Sequence, residues 1–261
     1  MQDRLRPFID CIWREEETAN PDNYERIFHT VPDNTIEFII TEHSIVRKNL
    51  INGKHEVLKS HVSCFKTQAQ KIYLTGNPTL SIRFKPEIFW TLTSQNPAET
   101  IDQSIDPSEL FGGDIWELQD QLLCTDCWPI RINLVENYFA KKLTNSCWED
   151  KVFQYAERCI YNGNGDVDLS SLSKSIGTSQ KSLERLFQKR LGLSPKKYCR
   201  LIRFFVATKL LNTSLSRTQV AYECGFFDQM HFIKDFRKVT GMTPKDYLRK
   251  DRSLQEGIFS I

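Results

Sequence analysis

Hydrophobic positions alternate with polar ones in the first part of the chain and recur every three or four residues in the rest. The runs Ile36–Val46, Lys71–Thr75 and Leu80–Pro86 are rich in β-branched and aromatic residues, which suit a pleated, half-buried surface. Turn signals bound them at Pro32–Asn34, Asn52–Gly53 and Gly76–Pro78. Several short strands at close spacing predict an antiparallel barrel or sandwich. After about Asp106 the period lengthens. Ile115, Leu118 and Leu122 fall on one face of a helix over Asp114–Leu123, and Ile130, Leu134, Tyr138 and Phe139 do the same over Ile130–Leu143.

Beyond Asp150 no strand pattern remains. Short amphipathic helices are predicted at Ser171–Gly177, Ser179–Gly192, Arg200–Asn212 and Arg217–Phe226, and a last one lies within Gly225–Leu248. Thr178 or Ser179 can cap the second of these, and Gly192 can end it in a left-handed conformation. The boundary between the two textures falls at Thr144–Asp150. The expected organisation is a unit over 1–143, a linker over 144–150, a helical domain over 151–250 and a tail over 251–261.

The helical part contains a repeat. Leu183–Arg200 aligns with Phe232–Arg249 at a constant offset of 49 residues. Leu183 pairs with Phe232, Phe187 with Phe236, Lys189 with Lys238, Gly192 with Gly241, Pro195 with Pro244 and Tyr198 with Tyr247. Upstream, Gly177 pairs with Gly225 at offset 48, so the second turn is one residue longer. A helix, a tight turn and a second helix, duplicated, predict two helix-turn-helix units. In such a unit the second helix enters the major groove with its N-terminal residues at the base edges. Its back must be apolar, as Leu183, Leu186 and Phe187 are in copy one and Phe232, Ile233 and Phe236 in copy two.

Charge sharpens this picture. The whole chain of 261 residues carries a formal charge of only +2, yet residues 1–150 sum to −8 and residues 151–261 to +10. A basic half joined to an acidic one fits a module that binds a polyanion. No apolar run reaches the roughly 20 residues of a membrane span. The start, MQDRLRPFIDCIW, lacks a basic segment followed by a long apolar one, so a cytoplasmic location without membrane contact is expected.

The expected base-reading residues are Gln180, Lys181, Glu184 and Arg185 in copy one and Gln229, Met230 and Lys234 in copy two. Arginine holds guanine O6 and N7 together, and glutamine pairs with adenine N6 and N7. Glu184 either accepts from cytosine N4 or braces Lys181 or Gln188 along the helix. Asp228 is expected to cap its helix. Ser179, Lys189, Lys196, Lys197, His231, Arg237, Lys238 and Lys245 are the expected phosphate contacts, which position without specifying.

These residues carry a family resemblance. Gly225, Phe226, Asp228, Gln229, His231, Phe232, Phe236, Arg237, Lys238, Gly241, Thr243, Pro244 and Tyr247 reproduce the signature of the AraC/XylS family of bacterial transcription regulators. Copy one and its following helix resemble the family through Ser179, Leu183, Arg185, Phe187, Gly192, Pro195, Tyr198, Arg203, Ala207, Leu210 and Leu211. The likeness runs from about Val152 to Lys250. Met230 departs from it, standing where a small polar residue is common, and so does Leu248–Arg249, since arginine often directly follows the tyrosine. Leu5–Trp13, Val31–Ile40 and Leu80–Trp90 resemble a sensor-like domain found in a subset of the family, a small β-barrel followed by helices. That resemblance names no ligand.

The fold expected is therefore α+β: a small cupin-like antiparallel barrel followed by helices, then an all-α double helix-turn-helix domain. The resemblance implies double-stranded promoter DNA as partner, with RNA polymerase, a small-molecule effector and a second copy of the chain as further partners. Trp13, Glu37 and Arg83 are the candidate effector contacts, because an inward-facing strand charge is a site candidate. Trp13 and Trp90 fill a core by default.

No catalytic residue, metal ligand or cofactor is expected. His29, His43, His55 and His61 raise a metal cupin, but they lack the spacing of a tight pair and read as scattered surface histidines. The eight cysteines read as reduced, mostly buried thiols; the pair Cys124 and Cys127 has zinc spacing without a second pair. Two alternatives stay open: a ligand-independent regulator whose first domain only dimerises, and a metal-barrel or cysteine enzyme tethered to DNA.

Overall fold

The computed structural model describes residues 5, 8–14, 25–30, 32, 35–75, 80–85, 89, 93, 95–142 and 150–250. The expected linker core, the tail, Trp90 and the turn Gly76–Pro78 lie outside them.

Among the described residues the first half holds nine strands: β1 (Ile9–Arg14), β2 (Glu25–Thr30), β3 (Ile36–Ile40), β4 (Ile45–Asn49), β5 (His55–Leu58), β6 (His61–Ser63), β7 (Gln70–Thr75), β8 (Leu80–Phe84) and β9 (Ser104–Ile105). They form two antiparallel sheets, ordered β1-β8-β3-β6-β9 and β2-β7-β4-β5. The expected barrel does not close among the described residues. Each sheet ends on its own edge strands, and the chain crosses between the sheets repeatedly, at the corners Thr41–Ser44 and Lys59–Ser60 among other places. Ser60 staples the corners together: Thr41 N–H donates to Ser60 Oγ at 3.0 Å, and Ser60 Oγ donates to Thr41 O at 3.1 Å. The first corner also splits the run Ile36–Val46 into β3 and β4. Thr41 Oγ1 accepts from His43 N–H there and turns the chain without glycine or proline.

Alternation gives the first sheet two unlike faces. Phe38 pairs with Ile82 and Val62, and Ile36 with Phe84, all buried on one side. Helix α1 (Pro97–Thr100) lies between β8 and β9, and α2 (Pro107–Phe111), α3 (Ile115–Leu123) and α4 (Trp128–Lys142) follow β9. Phe111 of α2 and Phe139 of α4 stack at 5.9 Å and 5.2 Å from Phe84. The opposite face of the sheet carries Glu37, Arg83 and Trp13. Arg83 Nε donates to Glu37 Oε1 at 2.7 Å and Trp13 Nε1 to the same oxygen at 3.3 Å.

Among the described residues seven helices follow: α5 (Lys151–Asn162), α6 (Leu169–Ser175), α7 (Gln180–Leu191), α8 (Pro195–Leu211), α9 (Arg217–Glu223), α10 (Gln229–Thr240) and α11 (Pro244–Lys250). Helix α8 starts five residues before the expected Arg200. Ser194 caps it and Pro195 sits at its first position, where a missing N–H costs nothing. The two halves of the chain touch at the C-terminal ends of α7 and α10. A Cβ on Gly192 would lie 2.4 Å from the Pro97 carbonyl carbon, and Ala69 N–H donates to Val239 O at 3.0 Å.

The side chain of His29 lies outside the described residues, and His43, His55 and His61 form no cluster. No group of three or more metal-ligating residues occurs among the described residues. His43 and His55 are exposed, whereas His61 is buried rather than on the surface, with Nδ1 2.7 Å from Lys59 O. Burial pushes its pKa down to about 4, so it is neutral near pH 7. Cys64, Cys199 and Cys224 are buried; Cys124 and Cys127 are exposed free thiols. No helix of the described residues is long and apolar enough to cross a membrane.

Candidate nucleic-acid interface

Each helix-turn-helix unit is built by the same local chemistry. In the first, Asp168 caps α6 by accepting from Ser170 and Ser171 N–H at 3.1 Å and 3.0 Å. Gly177 turns the chain at φ +68°, a conformation that costs glycine nothing. Ser179 then caps α7, its Oγ accepting from Ser182 N–H at 3.1 Å. In the second, Ser216 and Gln219 form a reciprocal capping box on α9. Gly225 turns the chain at φ +66°, and Asp228 caps α10 by accepting from His231 N–H at 2.6 Å.

The backs of α7 and α10 are buried as their pattern predicts, through Leu183, Phe187 and Leu191 in one and Phe232, Phe236 and Thr240 in the other. Phe187 meets Tyr198 at 5.6 Å, and 49 residues later Phe236 meets Tyr247 at 5.5 Å. The sequence repeat is thus a repeat of packing.

Helix α8 ties the units together. Tyr198 joins the first core, and Phe204 meets Phe236 of the second at 5.1 Å. Arg200 makes a two-pronged pair with Asp235 of α10, at 2.6 Å and 3.0 Å. Such a pair fixes orientation as well as adding energy. Arg203 makes three bonds to two separate segments. It donates to Gly225 O at 3.3 Å, to Gly165 O at 3.1 Å and to Asp166 Oδ1 at 3.2 Å. Sequence alone marked Arg203 as a family position but could not supply these partners, which are 22 to 38 residues away.

On α7, Gln180, Lys181, Glu184 and Arg185 all lie on the exposed front. Glu184 makes no ion pair among the described residues, so the brace to Lys181 is not formed. On α10, Met230 and Lys234 are exposed, and Gln229 is half-buried. Thr218 Oγ1 donates to Gln229 Oε1 at 2.9 Å, which fixes the amide and leaves Nε2 unengaged by that bond. Phe227, which the sequence pattern did not single out, is exposed beside buried Phe226. Two successive phenylalanines in a tight turn are the signal: only one can face the core.

Lys189, Lys196, Lys197, Arg237, Lys238 and Lys245 are exposed, and so is His231. Lys196 and Lys245 occupy matching places in the first turns of α8 and α11, where free N–H groups favour anions. Lys189 and Lys238 sit in the last turns of α7 and α10, so they also complement the helix dipole. Ser179 Oγ is engaged as a cap. The ring of His231 packs edge-on against Phe226 at 5.5 Å.

Comparison with known proteins bears on this geometry. Residues 172–250 match a family described as a helix-turn-helix domain, and residues 2–106 match a domain of unknown function, DUF6597. The HTH-type transcriptional regulator GbdR of Pseudomonas aeruginosa is 42% identical over 81 residues, 31% of this chain and 22% of that protein. The HTH-type transcriptional activator RhaS of Escherichia coli is 33% identical over 82 residues, 31% of this chain and 30% of that protein. The match thus spans less than a third of either relative. A solved transcriptional regulator from Chromobacterium violaceum, with an AraC-type DNA-binding domain, is 30% identical. It covers 37% of this chain and 88% of its own, with a TM-score of 0.35. The signature residues, the duplicated capped helices and the match over 172–250 agree: through this domain the chain belongs to the AraC/XylS family.

Proposed function

We propose that the protein is a sequence-specific transcription regulator that reads two successive major grooves of promoter DNA with α7 and α10. The observation that carries this is the matched pair of helices. Each is capped at its N-terminus by a turn that presents it, each is buried along its back, and each has an exposed front. The excess of basic residues in 151–261 supplies the sequence-independent attraction. Arg185 reads guanine, and Gln229 and Lys234 read bases in the second groove. Lys189, Lys196, Lys197, Arg237, Lys238 and Lys245 hold phosphates. RNA polymerase is the further partner of such a regulator.

The first half, 1–143, serves as the sensing or dimerising domain, joined by the linker 144–150. Trp13, Glu37 and Arg83 support an effector site, because they form one hydrogen-bonded group on the polar face of the first sheet. The ion pair satisfies itself in the free protein, so an effector binding there would have to exchange with it.

Selection of genomic DNA fragments by the full chain tests the proposal, with and without a metabolite extract. Two half-elements about one helical turn apart are expected; binding governed by salt alone would overturn it. An extract-dependent shift would assign sensing to the first half. On the selected site, Arg185→Ala should relax preference at one position. Lys238→Ala should weaken all sequences evenly and lower the salt slope by about 0.9. Equal loss on every sequence for Arg185→Ala would remove it from the base-reading set.

A further inference from the structure

We infer that the second helix-turn-helix unit reads thymine 5-methyl groups through Phe227 and Met230, so that the two units recognise chemically different half-elements. The inference rests on the DNA-reading function proposed above. Its starting point is exposure. Phe227 is 85% and Met230 72% exposed, while Phe226 beside them is 6% exposed. Scattered exposed apolar residues are ordinary on a protein surface. These two are not scattered. They flank Asp228 and Gln229, the cap and first residue of α10, which is the end of a recognition helix that meets the base edges.

The repeat shows what has changed between the copies. At the offset of 49, Met230 stands where copy one has Lys181, and Phe227 where copy one has Thr178. Glu184 becomes Ile233, while Gln180 and Arg185 keep their character as Gln229 and Lys234. The exposed front of α7 therefore carries Lys181, Glu184 and Arg185, whereas that of α10 keeps only Lys234 of those charges and its N-terminal end presents the exposed apolar pair Phe227 and Met230. In the major groove only thymine offers an apolar group, its 5-methyl, and phenylalanine is one of the side chains suited to it. Charged Lys181 and Arg185 suit guanine acceptors instead. An adenine contact from Gln229 next to a thymine-methyl contact from Met230 would describe an A·T-rich second half-element.

Deoxyuridine substitution tests this directly, because it removes the methyl and leaves every hydrogen-bonding group of thymine in place. The full chain is titrated with its selected duplex, with thymines replaced singly by deoxyuridine. We expect about fourfold weaker binding for each contacted methyl in the second half-element, the factor for burying one methyl-sized group. Deoxyuridine in the first half-element should change nothing. Met230→Ala and Phe227→Ala, both surface changes, should each bind the thymine duplex more weakly and lose part of the deoxyuridine penalty. Equal affinity for thymine and uracil in both half-elements overturns the inference while the regulator reading stands. A uracil penalty that persists in both variants overturns the assignment to these side chains. Failure to select any element removes the parent reading and this one with it.

Discussion

Replacing Gly165 with alanine should unfold the carboxy-terminal half under conditions where the parent chain is native. Gly165 is buried at φ +75° between α5 and α6. A Cβ there would lie 2.2 Å from Cys199 O and 2.7 Å from Arg203 N. Both are backbone atoms of α8, so no side-chain rotation relieves the clash. The left-handed conformation alone costs a non-glycine residue about 1–2 kcal/mol, and forced overpacking adds about 1–3 kcal/mol. A shift of α8 also pulls Arg203 from Gly165 O and Asp166. The expected loss is about 3–5 kcal/mol, in the range that marks a specific structural fault. Gly177→Ala is the control. Its φ is +68°, but nothing lies within 4 Å of the new Cβ, so only the strain of about 1–2 kcal/mol applies. Thermal melts of the two variants should differ clearly. Equal shifts would mean that the approach of α8 to this loop is not what demands glycine.

That contrast also shows what sequence could and could not tell. The duplicated units were legible because each is specified locally. Ser179, Asp228, Gly192 and Gly241 declare helix ends through their own side chains or their lack of one, and the repeat tests each assignment twice. The start of α8 does not follow from the apolar period, because Ser194 and Pro195 mark it by cap chemistry instead. The sheets were legible as alternation and no further: Ile36, Phe38 and Ile40 declare a face, but not whether Val62 or Ile82 lies beside them. The corner at Thr41–Ser44 escaped because it turns on a threonine hydroxyl. Of the candidate site, the exposed front of α7 followed from its period. Trp13, Glu37 and Arg83 were named separately, and only strand register shows that they meet, since Glu37 pairs with Arg83 across β3 and β8. Phe227 needed the structure, because two adjacent phenylalanines do not say which one is buried.

Phe236→Ala and Phe187→Ala, equivalent by the repeat, should have unequal reach. Each removes a fully buried ring, at a cost of about 3–5 kcal/mol. The rings belong to different cores. Phe236 packs with Phe204, Ala207, Leu211, Val220, Phe232 and Tyr247, a cluster confined to α8–α11 and the turn before α10. Phe187 belongs to a cluster that continues through Phe153 and Tyr198 into Phe111 and Phe139 of the first half. Native-state amide exchange should therefore show Phe236→Ala opening α9, α10 and α11 and leaving the sheets protected. Phe187→Ala should lower protection in α2 and α4 as well. On DNA, Phe236→Ala should shrink the recognised site to the first half-element and reduce the salt slope, since the phosphate contacts proposed for α10 and α11 would be lost with their helices. If protection falls evenly across the whole chain in both variants, the two cores open as one, and damage to the second recognition helix could not leave the first at work.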